Sequence, residues 1–154
     1  MNDNIRVVAA DNIHQEIIDA FDRLIPQLSA TAATPTAAVL NDIVASTCTT
    51  LLLARDHSKQ DQIVGTLTLV IFTIPTGVRA WIEDVIVDEA ARGNGVGEAL
   101  SREALRIAMQ YGARTVELTS RPSRPAANRL YRRLGFELRD TNVYRYSAGT
   151  DNSD

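Results

Sequence analysis

Between Arg79 and Tyr111 the sequence reads as a strand, a glycine-rich loop and a helix joined without interruption. Trp81, Ile82, Val85, Ile86 and Val87 give the stretch from Arg79 to Val87 its β-branched and aromatic character. The loop Arg92-Gly93-Asn94-Gly95-Val96-Gly97 follows. Beyond it Val96, Leu100, Ala104, Ile107, Ala108 and Tyr111 recur as one apolar helical stripe, and Gly112 supplies the stop. Glycines alternating between strand and helix let the backbone turn sharply and approach a ligand with no Cβ in the way. The unpaired N–H groups of the first helical turn, with the helix dipole behind them, form an anion site whose natural occupant is a pyrophosphate. Two phosphate-binding motifs fit poorly. A P-loop needs Lys-Ser/Thr after its last glycine, whereas Glu98-Ala99 follows Gly97. A dinucleotide fingerprint needs G-x-G-x-x-G early in a βαβ repeat, whereas this loop reads G-x-G-x-G in the middle of a β-rich chain.

The flanking segments set the rest of the architecture. Ile5–Ala9 reads as a short first strand. A helix is expected from Asn12 to Leu28, capped by Asp11 or Asn12, with Ile13, Ile17, Phe21, Leu24, Ile25 and Leu28 at helical spacing and Pro26 bending or ending it late. The small residues from Ser29 to Thr36 form a loop, and a second helix from Thr36 to about Ser46 buries Val39, Leu40, Ile43 and Val44. Thr49–Arg55 and Ile63–Ile74 read as strands of a hairpin around the polar turn Asp56–Asp61. After the central unit come a short strand at Thr115–Thr119 and a helix opening at Pro125 and closing at Gly135. Phe136–Tyr146 reads as a closing pair of strands with a turn near Asp140–Asn142. One domain over residues 1–148 and a polar, disordered tail over 149–154 are expected.

Several function classes drop out on charge and composition. A net charge of −3 spread along the chain gives no basic footprint for nucleic acid, although Arg129, Arg132 and Arg133 gather on the last helix. Cys48 is the only cysteine and there are two histidines, so no internal disulfide forms and a metal site is not expected. No stretch is apolar for the roughly 18 residues that a membrane helix needs. The opening Met-Asn-Asp-Asn-Ile-Arg lacks the basic start and apolar core of a secretory signal, so a cytoplasmic location is expected.

Arg92-x-x-Gly95-x-Gly97, placed after the strand that ends Val85-Ile86-Val87-Asp88, resembles the acetyl-CoA signature [QR]-x-x-G-x-[GA] of the GNAT N-acetyltransferases. Asn128-Arg-Leu-Tyr131-Arg-Arg-Leu-Gly135-Phe136 is similar to the later cofactor motif of that superfamily, a tyrosine-bearing helix followed by Gly-Phe at the next strand. The two blocks stand about 35 residues apart, with one helix and one strand between them, which is the family's spacing. The resemblance covers Arg79 to about Tyr146; the first half of the chain contributes only a compatible order of elements. It implies an α/β fold of mixed α+β kind, with a mostly antiparallel twisted sheet of six to seven strands and about four flanking helices.

The resemblance also implies an activity: transfer of an acetyl group from acetyl-CoA to a primary amine by direct attack through a tetrahedral intermediate, with no metal. The acceptor amine must lose a proton from a pKa near ~10.4, the oxyanion needs aimed donors, and the departing thiolate benefits from an acid. On matching positions, the backbone of Val85, Ile86 and Val87 would pair with the pantetheine arm, and amides from Arg92, Gly93, Asn94, Gly95, Val96 and Gly97 would hold the pyrophosphate. Tyr131 would protonate the leaving thiolate, and Glu83 would act as base, directly or through water. In a regular strand Glu83 and its neighbour Asp84 face opposite sides. The family's asparagine about seven residues before the tyrosine is replaced here by Arg124; either Asn128, one turn before Tyr131, takes that cofactor contact or the contact is missing. Arg132 and Arg133 can reach toward the 3′-phosphate, and Arg121 or Arg124 toward an acidic group of the acceptor. With no recognition domain and no acidic or basic tract, a small-molecule amine is the expected acceptor. A peptide or protein amine, and a non-catalytic CoA-binding sensor, are the alternatives. A homodimer is compatible with the resemblance.

Overall fold

The computed structural model describes residues 4–148. The elements run β1 (Ile5–Ala9), α1 (Gln15–Leu28), α2 (Ala37–Ala45), β2 (Thr49–Asp56), β3 (Gln62–Ile74), β4 (Gly77–Val87), α3 (Val96–Gln110), β5 (Val116–Glu117) and α4 (Pro125–Arg133). Single 3₁₀ turns follow β2 and β4, at His57–Lys59 and Glu89–Ala91. The five strands lie in the order β1-β2-β3-β4-β5. The first four pair antiparallel; β4 and β5 pair in parallel through two residue pairs.

The sheet is covered on both faces, and the run Leu51-Leu52-Leu53-Ala54 shows why it carries no polar alternation. Leu52 and Ala54 pack into the core under α3 with Leu67, Leu69, Ile82, Leu100 and Ala104. Leu51 and Leu53 pack into the opposite core, formed by Ile17, Phe21 and Leu24 of α1 and Leu40 of α2. A strand buried on both faces is apolar at every position.

Helix α1 starts at Gln15, later than Asn12, with His14 as an N-cap that makes no side-chain bond. Asp11 and Asn12 occupy the bend ahead of it. Pro26 lies in its last turn, where the missing N–H forfeits one bond, and the helix stops two residues on. Thr36 caps α2 through its side chain, accepting from Val39 N–H. Val39 itself is 47% exposed, and Tyr111 at the end of α3 is 65% exposed, so neither joins the core that its spacing suggested. Tyr111 sits at the C-cap of α3, beyond its last helical residue Gln110.

The sheet has five strands among the described residues, where six to seven were expected. The difference is the segment Phe136–Tyr146: it is free of regular structure, and Leu138, Val143, Tyr144 and Tyr146 are exposed. Its alternating pattern is that of a strand, but a strand exists only against a paired edge, and this segment pairs with none among the described residues. The tail expected at 149–154 falls outside the described residues.

Candidate functional site

Two features of β4 build the site. The first is a bulge. Thr66 pairs with Ile86 and Thr68 with Glu83, so Asp84 and Val85 together oppose the single residue Leu67. Asp84 takes φ +46°, a left-handed conformation that aspartate tolerates better than most residues. The extra residue reverses the phase of the strand. Ala80 and Ile82 belong to the core under α3, as do Val85 and Val87, whereas Ile86 joins the core under α1 and α2. By alternation Trp81 and Glu83 face the α1/α2 side, and Trp81 Nε1 donates to Glu83 Oε1 at 2.6 Å. That bond orients an exposed carboxylate whose second oxygen remains available.

The second feature is an open edge. Strand β5 pairs with β4 only at Ala80↔Val116 and Trp81↔Glu117. From Ile82 onward the β5-facing edge of β4 has no strand beside it. Asp88 N–H donates to Val64 C=O at 2.9 Å, on the β3 side. By alternation Ile86 also points its backbone toward β3, while the N–H and C=O groups of Val85 and Val87 face the open edge. Of the three residues proposed to pair with a ligand arm, Val85 and Val87 therefore have free backbone on that side, and Ile86 uses its own within the sheet.

At the end of β4 the chain turns into the glycine loop. Asp88 caps the 3₁₀ turn by accepting from Ala90 N–H at 3.0 Å. Gly93 and Gly95 then take φ +83° and +81°, conformations that side chains resist, and a Cβ at either would meet nothing within 4 Å. The first intrahelical bond of α3 runs from Ala99 N–H to Gly95 C=O at 2.9 Å. The N–H groups of Val96, Gly97 and Glu98 precede it and find no acceptor among the described residues. Arg92 borders this cradle and pairs with Glu89 at 3.4 Å, and Asn94 is exposed within the loop.

Helix α4 packs beside the cradle. Leu130 Cδ2 lies 3.2 Å from where a Cβ on Gly97 would stand, and Arg133 binds Glu98 Oε2 at 2.8 Å. Glu98 is an acidic residue in the first turn of α3, but Arg102 and Arg133 hold its carboxyl below the usual range and compensate its charge. Arg133 thus stands at the loop, engaged by Glu98, while Arg132 is exposed. Tyr131 is half-buried and meets Phe136 edge to face, with ring centroids 5.7 Å apart. Burial pushes the phenol pKa upward, partly offset by Arg124. Asn128 spends its side-chain N–H groups on the carbonyls of Arg121 and Arg124, both at 2.9 Å, and so fixes the loop that leads into α4. Arg124 reaches Leu28 C=O at 3.4 Å, and Arg121 is exposed.

Sequence reasoning missed the contribution of α1. Arg23 donates to Ile63 C=O at 2.6 Å and pairs with Asp88 at 3.4 Å. Gln27 Oε1 accepts from Glu89 N–H at 2.9 Å. These contacts tie α1 to the turn that feeds the glycine loop, across sequence separations that no local pattern encodes. The Trp81–Glu83 bond was within reach, because residues two apart on a strand share a face. Among the described residues no cluster of His, Cys, Asp or Glu is arranged to hold a metal, and no described helix is long and apolar enough to cross a membrane.

The chain matches the family model described as Acetyltransferase (GNAT) family over residues 14–136. Among curated proteins it is 39% identical over 61 residues to an uncharacterized N-acetyltransferase of Methanocaldococcus jannaschii, covering 40% of this chain. That match spans 27% of the relative's length. A solved structure from Agrobacterium tumefaciens str. C58, named only provisionally as an acetyltransferase, superposes with TM-score 0.79 at 25% identity over 92% of this chain and 99% of that one. An aminoglycoside acetyltransferase from an uncultured soil metagenomic sample, solved with sisomicin, gives TM-score 0.80 at 16% identity over 94% and 96%. The glucosamine-6-phosphate N-acetyltransferase of Arabidopsis thaliana gives 0.76 at 17% over 92% and 97%. The last two share the fold.

Proposed function

This chain belongs to the GNAT acetyltransferase family, and we propose that it transfers the acetyl group of acetyl-CoA to the primary amine of a small molecule. The observation that carries this reading is the juxtaposition of the open β4 edge at Val85 and Val87 with the unpaired amides at the start of α3. The two suit one extended ligand with an amide-bearing arm and a pyrophosphate. The arm adds to the sheet edge as a strand would, and the pyrophosphate meets amides and a helix dipole. Acetyl-CoA, when bound, supplies the activated thioester carbonyl.

The protein's own groups then divide the work. The N–H groups on the free edge of β4 donate toward the carbonyl oxygen as negative charge gathers there. Glu83, oriented by Trp81, accepts the proton of the incoming ammonium directly or through water, which frees the nitrogen lone pair for the new N–C bond. Tyr131 gives its proton to sulfur as the C–S bond breaks, and its raised pKa keeps the phenol protonated at neutral pH. Asn128 acts as a positioning residue for α4, and Arg133 lies where it can share a phosphate with the loop. Arg92, Gly93, Asn94, Gly95, Val96 and Gly97 form the cradle.

Two observations support a small acceptor. Structural neighbours are named for amino sugars, the aminoglycosides and glucosamine-6-phosphate, and no acidic or basic tract here suits a polypeptide. The test is thiol release from acetyl-CoA with a panel of amino sugars and other small primary amines, against peptides with free N-termini. Turnover of a small amine that collapses in Glu83→Gln supports the reading. Acetylation of peptides alone overturns the acceptor class, and acetyl-CoA binding with no amine-dependent thiol release favours a sensor.

A further inference from the structure

The turn Glu89–Ala91, which feeds the glycine loop, is tied to two other parts of the fold. From α1, Gln27 Oε1 accepts from Glu89 N–H at 2.9 Å, and Arg23 pairs with Asp88 at 3.4 Å. The second tie comes from the connection between β2 and β3, where Lys59 Nζ donates to Ala90 C=O at 3.2 Å. Lys59 ends the 3₁₀ turn after β2, and that turn is itself fixed. Buried Asp56 accepts from Ser58 N–H at 2.9 Å and from Ser58 Oγ at 2.6 Å. Gln60 and Asp61 follow at φ +56° and +62°, in the left-handed region. Arg55 holds the second of them, donating to Asp61 C=O at 3.1 Å and pairing with its carboxylate at 3.7 Å.

Lys59 is also the single lysine of the sequence, beside 15 arginines. A guanidinium keeps its proton and offers no nucleophilic lone pair. An alkylammonium with a pKa of ~10.4 leaves a small neutral fraction at neutral pH, and that amine attacks thioesters. Lys59 is exposed, so a thioester in solution can reach it. An acyl group on the exposed thiol of Cys48 would again be a thioester, open to return to free CoA. Lys59 is therefore the one described side chain whose acylation yields a stable amide, and it is the side chain that holds Ala90.

We propose that Lys59 is an acylation site through which acetyl-CoA weakens the cradle that binds it. The Nζ lone pair attacks the thioester carbonyl, and the N–C bond forms as the C–S bond breaks. CoA leaves as the thiol, taking up the proton that nitrogen gives away. The resulting amide carries no charge and a single N–H, so the charge-assisted donation to Ala90 C=O is lost. The turn Glu89–Ala91 then keeps its own cap and the ties from α1. Residues 92–97, which that turn leads into, must be ordered at the expense of ligand binding. The inference rests on the reading of the cradle as an acetyl-CoA site.

The experiment incubates the full chain with millimolar acetyl-CoA, beside Lys59→Arg and Lys59→Gln. Peptide mass spectrometry locates any acetylated side chain, calorimetric titration reads CoA affinity, and circular dichroism checks that each form is folded. The parent should gain a stable side-chain acetyl group on Lys59, and Lys59→Arg none. The acetylated parent and Lys59→Gln should bind CoA about 2–10-fold more weakly than the untreated parent, the amount that one such hydrogen bond supplies. Lys59→Arg keeps the charge and a donor, and should bind as the parent does. No acetyl group at Lys59, or an unchanged CoA affinity once it is there, overturns this inference and leaves the acetyl-transfer reading standing. An untreated parent that binds no CoA overturns that reading and this inference with it.

Discussion

Gly95 permits a clean test of the loop, because the structure separates conformational strain from steric contact there. It holds φ +81°, and an added Cβ meets no atom within 4 Å. The cost of Gly95→Ala is therefore backbone strain alone, about 1–2 kcal/mol for an L-residue in the left-handed region. For a chain of this size each kcal/mol lowers the melting midpoint by about 2–4 °C, so the variant should melt about 2–8 °C below the parent. If the strained loop relaxes in the free protein, binding must restore it, and acetyl-CoA affinity should fall by about 5–30-fold. Gly97→Ala is the control. Gly97 lies inside α3 without a positive φ, and its new methyl meets Leu130 Cδ2, the end of a flexible side chain, at 3.2 Å and Val87 Cγ2 at an ordinary contact distance of 3.6 Å. The gain from alanine over glycine in a helix, up to about 1 kcal/mol, opposes that crowding. The midpoint of Gly97→Ala should stay near the parent's. Thermal melts and calorimetric titration of acetyl-CoA read both variants. A Gly95→Ala protein that melts and binds like the parent would refute the argument that left-handed glycine geometry shapes the cradle.

Two further outcomes follow from the side chains. Tyr131→Phe keeps the ring against Phe136 and should leave the melting midpoint nearly unchanged while kcat falls about 10²–10⁴-fold, measured by thiol release. The protonated phenol is the working form, so the rate of the parent declines as pH rises through a pKa that burial has lifted above 10.0; that alkaline limb should vanish in the variant. Glu16 is held below its ordinary 4.5 by its hydrogen bonds from Arg55, so its contribution is present above that value and lost as pH falls through the lowered one. Because Glu16 is more than half exposed, Glu16→Gln should cost no more than about 1 kcal/mol at pH 7, and that cost should shrink as the pH falls below 4.5 and through the lowered value, measured by urea denaturation.

The central unit was legible because its signals are local. A β-rich stretch, glycines where φ must be positive, and a 3.6-residue stripe from Val96 to Ala108 each specify their own geometry. The order of elements through α4 followed for the same reason. What escaped depended on partners distant in sequence. The bulge at Asp84 needs the register with Leu67 of β3, so alternation alone put Glu83 and Asp84 on opposite faces without revealing the reversal that follows. The ties from Arg23 and Gln27 of α1 to Asp88 and Glu89 span the fold. Phe136–Tyr146 has a strand's pattern, but the pattern does not say which edge receives it. Asn128 illustrates the limit of motif transfer: its side-chain N–H groups hold the loop carbonyls of Arg121 and Arg124.

Acetyl transfer at this site requires first that the cradle and the open β4 edge bind acetyl-CoA. Thermal unfolding of the full chain in acetyl-CoA, with NAD and ATP as controls, measures this without knowledge of the acceptor. A ligand at 100 times its dissociation constant adds about 2.7 kcal/mol, which for this chain length raises the midpoint by about 5–10 °C. That shift is expected with acetyl-CoA and with CoA, and with neither NAD nor ATP. An unmoved transition at millimolar acetyl-CoA, or an equal shift with NAD, would contradict it.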